Sequence, residues 1–348
     1  MSELRDVVIV SAKRTPVGAF QGSLSSIAAP QLGATAIKAV LDETKIDIDS
    51  IDEVIMGNVL SAGQGQAPAR QAALGAGLPD SVECLTINKM CGSGLKAVML
   101  ATQAIQTGDA DIIIAGGMEN MTQAPYLLPK GREGHRLGHG QVLDSMIKDG
   151  LWDAYNDKHM GNCAELCASE KNYSREDQDA FAKISYTRAQ SALENGSFSD
   201  EIVSVPVPQR KGEPIIVDAD EEPSRANFEK MEFLRPAFEK DGTITAANAS
   251  KINDGAAAIL IMSGEKAKEL ELTPLAVIGA QASAAHAPEW FTTAPSKAIS
   301  KVLEKAGIKA EAIDLWEINE AFAPVAMAAM DDFNLSHDKV NVNGGAIA

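Results

Sequence analysis

The sequence lacks any apolar run near the length of a membrane-spanning helix, which needs about 18 residues or more. Its N-terminus, MSELRDVVIV, also lacks the basic and apolar pattern of a signal peptide. The cysteines are few for a chain of 348 residues, and their spacing does not suggest a disulfide framework: Cys84, Cys91, Cys163 and Cys167. Together these absences predict a cytoplasmic protein in a reducing compartment.

Positive charge is also scarce, because 31 Lys and Arg residues face 48 Asp and Glu residues, for a net charge of −17. Repulsion between like charges argues against nucleic acid or an anionic membrane as a partner. Residues 209–240 are interleaved with acids but richer in basic side chains than the rest of the chain: Arg210, Lys211, Arg225, Lys230, Arg235 and Lys240. This segment is either an ordinary mixed-charge surface or a binding site for a phosphate-bearing ligand.

What the sequence does contain is enough apolar residues, 45% of the chain, for a sizeable core, and an internal repeat. Seven residues of the first half recur in the second half in the same order and at one constant offset. They are Ala36, Ile37, Val40, Leu41, Ile46, Ile51 and Asp52, and then Ala298, Ile299, Val302, Leu303, Ile308, Ile313 and Asp314. Each copy has the pattern of a helix, a short loop and a strand, which predicts a duplicated, layered α/β fold.

The flanks of the repeat suggest where the domains begin and end. Residues 120–245 change in character, with loop-like clusters and short helical stretches that are typical of an inserted binding domain. We therefore expect a first half over 1–119, to which 246–270 returns, an inserted domain over 120–245, and a second half over 271–348. The first copy has predicted strands at 7–12, 53–59, 84–87, 111–119 and from 254. The second copy has predicted strands at 275–283, 313–318 and 340–348 with two helices between them, and by comparison with the first copy we expect it to be incomplete by on the order of 40 residues.

Cys91 is the candidate nucleophile. It lies in NKMCGSG, between the apolar run 84–87, which predicts a buried strand, and an amphipathic helix that ends before Gly108. The free N–H groups and the dipole of a helix N-terminus lower the pKa of a thiol, and glycines at 92 and 94 allow a tight turn. A buried, inert cysteine is the alternative interpretation.

Seven motifs give the chain a resemblance to the thiolases, most of all to their biosynthetic acetyl-CoA C-acetyltransferase group. They are NKMCGSGLKAV (88–98), GGMENMT (116–122), HMG (159–161), LRPAF (234–238), NASKINDGAA (248–257), NEAF (319–322) and NGGAIA (343–348). The resemblance implies βαβαβ halves with an inserted coenzyme A-binding loop domain. It also implies a homodimer or homotetramer, with coenzyme A thioesters as substrates rather than cofactors.

By this resemblance, Cys91 attacks acetyl-CoA and holds the acetyl group, and its own N–H contributes to an oxyanion hole. Asn319 positions a water that stabilises the enolate of a second acetyl-CoA, and the product is acetoacetyl-CoA. The residues implied at coenzyme A are Leu151, His159, Met160, Arg225, Phe238, Ala246, Ser250, Ala321 and Phe322. Three side chains at helical spacing, His159, Cys163 and Cys167, are capable of binding a metal, but we expect none there because one helix face rarely completes a tetrahedral shell.

The resemblance also implies a GHP histidine after GGAIA and a second cysteine near the C-terminus. The histidines of this chain are His135, His139, His159, His286 and His337, and no cysteine follows Cys167. We therefore expect the chain to be C-terminally truncated and impaired in activity, because the condensation needs a base. A thiolase-like protein that binds acyl-CoA without catalysis is the alternative from another functional class. A ketoacyl synthase is disfavoured by the HMG and NAS motifs.

Overall fold

The computed structural model describes residues 4–348, and these residues form two compact units. Unit 1 comprises residues 4–150, 199–221 and 252–278, and unit 2 comprises residues 151–198, 222–251 and 279–348. Among the described residues, no helix is both long and apolar enough to cross a membrane. The chain thus passes from one unit to the other several times. The domain boundaries expected at 119, 245 and 270 stay a prediction.

The elements are numbered in chain order. The strands are β1 (Val7–Arg14), β2 (Gly18–Ala19), β3 (Glu53–Gly57), β4 (Glu83–Ile87), β5 (Ile112–Asn120), β6 (Tyr126–Leu127), β7 (Leu143–Asp144), β8 (Trp152–Asp153), β9 (Lys158–His159), β10 (Val205–Val207), β11 (Ile215–Val217), β12 (Asn253–Ser263) and β13 (Ala276–Val277). The helices are α1 (Ala29–Thr44), α2 (Pro68–Gly75), α3 (Ser93–Thr107), α4 (Met160–Lys171), α5 (Arg175–Glu194), α6 (Phe228–Met231), α7 (Gly264–Glu269), α8 (Ala294–Ala306) and α9 (Ala323–Phe333).

Unit 1 is built on a seven-stranded mixed sheet in the order β13-β1-β12-β5-β3-β4, with β2 paired to β12. β3 is parallel to both β5 and β4, whereas β12 is antiparallel to β1 and β5. Side chains of β5 alternate between two cores, one with α1 and α2 and the other with α3. Ile112 and Ile114 face the first core and Ile113 the second, which explains why β5 is apolar without interruption from Ile112 to Met118.

Unit 2 is mainly helical, and two apolar clusters hold it together. In one cluster α5 and α9 pack with residues such as Met231, Ile318 and Val340. In the other, α4 and α9 pack around Ile244, Ala249 and Phe322. The buried carboxylate of Glu165 on α4 accepts hydrogen bonds from the backbone N–H groups of residues 243 and 244, at 2.8 to 2.9 Å. This carboxylate fixes the chain just before the NAS motif.

The predicted elements of the first copy are confirmed. The strands expected at 7–12, 53–59, 84–87, 111–119 and from 254 correspond to β1, β3, β4, β5 and β12. The helix after Cys91 is α3, and Gly108 closes it in the left-handed conformation, with φ of 84°. The layered α/β architecture follows from these elements.

The helices predicted in the second copy are confirmed as α8 and α9, but its strands were predicted wrongly. Residues 275–283 form only the two-residue β13, and residues 313–318 contribute a single bridge from Trp316 to Val340. The segment after Val340 turns instead of extending, because Asn341 and Gly344 have φ of 48° and 84°. The Asn341 side chain then takes the place of a strand partner and bonds the N–H and C=O of Ile318, both at 2.8 Å.

Candidate active site

Cys91 lies in unit 1, in the turn between β4 and α3, and is exposed. The preceding residue, Met90, has a φ of 49°, in the left-handed region that residues with a side chain rarely adopt. Such strain persists only where surrounding bonds impose it, and it concentrates at functional sites. Here the Ser93 hydroxyl accepts from the Lys89 N–H at 2.8 Å and donates to the Met90 carbonyl at 2.6 Å.

The sequence predicted that Gly92 and Gly94 would allow this tight turn, but the structure places the demanding positions elsewhere. Gly92 has an ordinary φ of −89°, so Met90 carries the unusual conformation. Gly57, at the end of β3, is the glycine that the turn requires. A Cβ there would lie 2.6 Å from the Cβ of Ser93 and 2.9 Å from the N of Gly94. Close packing of β3 against the first turn of α3 therefore places Cys91.

The predicted lowering of the Cys91 pKa is wrong in direction. Desolvation of the sulfur by the surrounding protein raises the pKa of the Cys91 thiol. A hydrogen bond from the Cys91 backbone N–H lowers the pKa, but only in part offsets this effect. The expected donors are already used within the turn: the Gly92 N–H donates to the Lys89 carbonyl at 3.1 Å and the Ser93 N–H to the Met90 carbonyl at 3.0 Å. The thiol is therefore mostly protonated at neutral pH.

In unit 2, an aromatic group gathers several residues that the resemblance implied at coenzyme A. His159 caps α4, with its Nδ1 accepting the Gly161 N–H at 3.0 Å, and its ring stacks on Phe238 at 4.7 Å between centroids. Phe238 in turn meets Phe322 edge to face at 5.9 Å. Met160 and Ala321 pack against the same cluster. Burial lowers the pKa of His159, so the ring is neutral at pH 7.

Backbone pairing brings the NAS and NEAF motifs together. The Ser250 N–H donates to the Ala321 carbonyl at 3.1 Å, and Ala249 forms an antiparallel bridge with Phe322. Ser250 thus lies directly beside the aromatic group. Leu151 is tied to the group by its carbonyl, which accepts the Met160 N–H at 2.9 Å. The structure therefore unites seven of the nine residues implied at coenzyme A.

The other two, Arg225 and Ala246, line a separate cleft of about 250 Å³ in unit 2. Its remaining walls include Tyr186, Glu222 and Lys251. Arg225 is exposed, and one guanidinium nitrogen lies 3.6 Å from the Glu222 carboxylate. Sequence reasoning missed Lys251, because NAS drew attention to Ser250 and nothing local indicated where the next side chain would lie.

Asn319 and Glu320, neighbours in NEAF, have opposite environments. Asn319 is exposed, whereas Glu320 is fully buried. Glu320 accepts hydrogen bonds from the Ser185 hydroxyl at 2.7 Å, the Asn341 side-chain amide at 2.8 Å and the Ile347 N–H at 3.1 Å. Sequence reasoning gave Glu320 no role. The structure makes it the anchor that joins NEAF, NGGAIA and α5.

His159, Cys163 and Cys167, which have the spacing of metal ligands in the sequence, do not form a metal site in the structure. His159 is the cap of α4 rather than part of the helix, and its Nδ1 is already bonded to a backbone N–H. Cys163 and Cys167 are buried in the packed face of α4. Within residues 4–348, no three His, Cys, Asp or Glu side chains are grouped so that they could hold a metal ion.

Comparison with known proteins shows what this chain resembles. Residues 7–265 match the family described as thiolase, N-terminal domain, and residues 272–348 match the thiolase, C-terminal domain. An acetyl-CoA acetyltransferase from Pseudomonas aeruginosa is 54% identical over 346 residues, which is 99% of this chain and 88% of the relative. One from Cupriavidus necator is 53% identical with the same coverage. The mitochondrial acetyl-CoA acetyltransferase of Danio rerio is 51% identical over 99% of this chain and 82% of the relative.

The crystal structure of the Acat5 thiolase from Ascaris suum in complex with coenzyme A superposes with a TM-score of 0.94 and 42% sequence identity, over 99% of this chain and 88% of that one. These comparisons do not support the expectation of an incomplete second half. They equally do not support the impaired activity and missing C-terminal motifs inferred from it. Because both domain families match, and because relatives more than half identical align over nearly the whole chain, the chain belongs to the thiolase family.

Proposed function

We propose that this protein transfers acetyl groups between coenzyme A thioesters, condensing two acetyl-CoA to acetoacetyl-CoA and coenzyme A, and catalysing the reverse thiolysis. The observation that carries the proposal is Cys91, an exposed thiol on a strained turn that opens α3. Relatives that are called acetyl-CoA acetyltransferases and are more than half identical support this choice of reaction. A non-catalytic acyl-CoA-binding role has no comparable support.

In the first half-reaction, Cys91 is the nucleophile. Its sulfur forms a bond to the thioester carbonyl carbon, and the bond from that carbon to the sulfur of coenzyme A breaks. Coenzyme A leaves as a thiol, so the proton lost by Cys91 balances the proton gained by the leaving group. Because the surrounding protein raises the pKa of the Cys91 thiol, this step becomes faster as the pH approaches that pKa.

In the second half-reaction, a second acetyl-CoA loses a proton from its methyl group and its carbon attacks acetyl-Cys91. The carbon–sulfur bond to Cys91 breaks, and the sulfur regains a proton as acetoacetyl-CoA forms. We assign Asn319 to the enolate, through a water held by its exposed amide. One donor of this kind is worth about 3 to 4 kcal/mol of barrier.

For coenzyme A, we propose that the aromatic group of unit 2 receives the pantetheine arm. Leu151, His159, Met160, Phe238, Ala321 and Phe322 offer a largely apolar surface, and Ser250 adds a hydroxyl at its margin. A neutral His159 suits an uncharged thioester chain, because a charged ring would lose solvation there. The cleft lined by Arg225 and Ala246 also contains Lys230 and Lys251, and this positive charge suits the phosphate-bearing end.

We also propose that the working form is a homo-oligomer. β4 ends the strand order of the unit 1 sheet, and Leu85 on β4 is 40% exposed. Leu95 on the adjoining α3 is 71% exposed. A sheet edge flanked by exposed leucines favours pairing with the same edge of a second copy. Light scattering of the purified chain tests this, and a mass of one chain at micromolar concentration would contradict it.

Intact mass spectrometry tests the proposed reaction directly. After brief incubation with acetyl-CoA, we expect the chain to gain the mass of one acetyl group, faster at pH 9 than at pH 7. Cys91→Ala should gain none, whereas the matched variant Cys84→Ala, at a half-buried cysteine on β4, should behave as wild type. Acetylation that persists in Cys91→Ala, or wild-type chain that stays unmodified at both pH values, would refute the assignment.

A further inference from the structure

Lys251 directly follows the NAS motif, and its side chain folds back onto the turn that precedes it. Its Nζ donates hydrogen bonds to the Ala246 carbonyl at 2.7 Å and to the Ala249 carbonyl at 3.3 Å. The same nitrogen lies 5.2 Å from the centroid of the Tyr186 ring, over its face. Two carbonyl dipoles and one aromatic face are three groups that attract a cation. The contacts therefore resemble the coordination of a small positive ion.

This arrangement costs free energy, because lysine ammonium groups prefer water. Burial lowers the pKa of Lys251 to about 8, and the Glu222 carboxylate raises it only in part. Arg225 lines the same cleft and adds positive charge rather than relieving it. An aliphatic side chain would fill the space without this cost. The charge therefore has a use here that packing alone does not supply.

The turn held by Lys251 carries two residues that we propose at coenzyme A, Ala246 and Ser250. Its far side is fixed by the backbone, since the Ser250 N–H donates to the Ala321 carbonyl at 3.1 Å. The Lys251 N–H itself donates to the Ala346 carbonyl at 3.2 Å. On the side of the turn that faces Tyr186, the Lys251 ammonium donates hydrogen bonds to the carbonyls of Ala246 and Ala249.

We propose that Lys251 is a positioning residue, a tethered cation that holds the Ala246 and Ala249 carbonyls against the face of Tyr186 and so sets the turn that presents Ala246 and Ser250 to coenzyme A. The contact with coenzyme A rests on the proposed function. The clamp on the turn does not, since it is a property of the free protein. The two claims can therefore be tested by separate measurements.

The first measurement is hydrogen–deuterium exchange over residues 244–252 in the free protein. We compare wild type with Lys251→Met, which keeps the length without the charge, and Lys251→Ala, which leaves a space. The matched control is Lys183→Met, because Lys183 is exposed on α5, the helix that carries Tyr186. The thermal midpoint of each variant establishes that it is folded.

We expect exchange to be roughly tenfold faster in both Lys251 variants, as fits the loss of charge-assisted hydrogen bonds, and unchanged in Lys183→Met. Propylammonium, which replaces the atoms missing from Lys251→Ala, should slow exchange in that variant but not in Lys251→Met. Unchanged exchange in the Lys251 variants, or exchange in Lys251→Ala that ignores propylammonium, would overturn the clamp.

The second measurement is the Kd for coenzyme A, with kcat and KM for acetoacetyl-CoA thiolysis. We expect Kd and KM to rise roughly tenfold in Lys251→Met, with kcat nearly unchanged, and a partial return in Lys251→Ala with propylammonium. Faster exchange together with an unaltered Kd would overturn the positioning role. If wild type binds no coenzyme A, the proposed function fails, and the exchange data alone decide on the clamp.

Discussion

Replacing Glu320 by glutamine should destabilise unit 2 markedly, although the change removes a charge without changing the shape. Three donors point at the Glu320 carboxylate. The Ser185 hydroxyl and the Ile347 N–H share Oε2, and the Asn341 side-chain amide donates to Oε1. A glutamine has a single acceptor oxygen, so its NH₂ must face at least one of these donors.

The least costly orientation keeps the glutamine oxygen towards Ser185 and Ile347 and opposes its NH₂ to that of Asn341. Asn341 cannot flip to relieve this, because its Oδ1 and Nδ2 both bond Ile318 at 2.8 Å. One hydrogen bond to a charged acceptor is then lost and a buried donor is left unsatisfied. Each of these costs on the order of 1 to 3 kcal/mol, and we expect a total of about 3 kcal/mol.

Urea unfolding followed by tryptophan fluorescence measures this loss, since Trp316 lies in the affected cluster. The matched control is Glu311→Gln, because Glu311 is exposed in the turn before Trp316 and should shift the free energy of unfolding by less than about 0.5 kcal/mol. If Glu320→Gln costs no more than this control, the hydrogen bonds assigned to Glu320 do not act as a buried network.

Three further predictions concern the proposed site. Asn319→Ala should lower kcat on the order of 100-fold or more while leaving the thermal midpoint unchanged, because the side chain is exposed; an unaltered kcat would remove Asn319 from the mechanism. Burial lowers the pKa of His159 below 6.5, its ordinary value in the unfolded chain. The contribution of the neutral His159 ring to the free energy of unfolding is therefore complete above pH 6.5 and is lost as the pH falls towards the folded-state pKa. An NMR titration midpoint above 6.5 for His159 would contradict this. Gly161→Ala places a Cβ into the Phe238 ring and should raise KM for acetoacetyl-CoA roughly tenfold; Gly279→Ala, where a Cβ meets nothing within 4 Å, is the control, and equal KM values would refute it.

Much of the local structure was predictable from sequence because its causes are local. The period of apolar residues predicted β1, β3, β4, β5 and β12 and the helices after the first three of these strands, and Gly108 marked the end of α3. The strands of the second copy were not predictable in the same way, since a strand forms only where another backbone pairs with it. In the part of the chain that the structure describes, residues 313–318 have no pairing strand: Trp316 forms a single bridge with Val340, and the Asn341 side chain bonds the backbone of Ile318.

The amino-acid sequence by itself determined that Cys91 would stand between a strand and a helix, and it named the family through motifs spread along the chain. Tertiary structure decided the electrostatics: the turn uses its own N–H groups, so the pKa of the thiol rises rather than falls. Tertiary structure also decided the neighbours of His159, Glu320 and Lys251. Ring stacking, buried hydrogen bonds and cation–π contacts join residues that are far apart in the sequence, and the periodicity of apolar residues carries no information about such pairs.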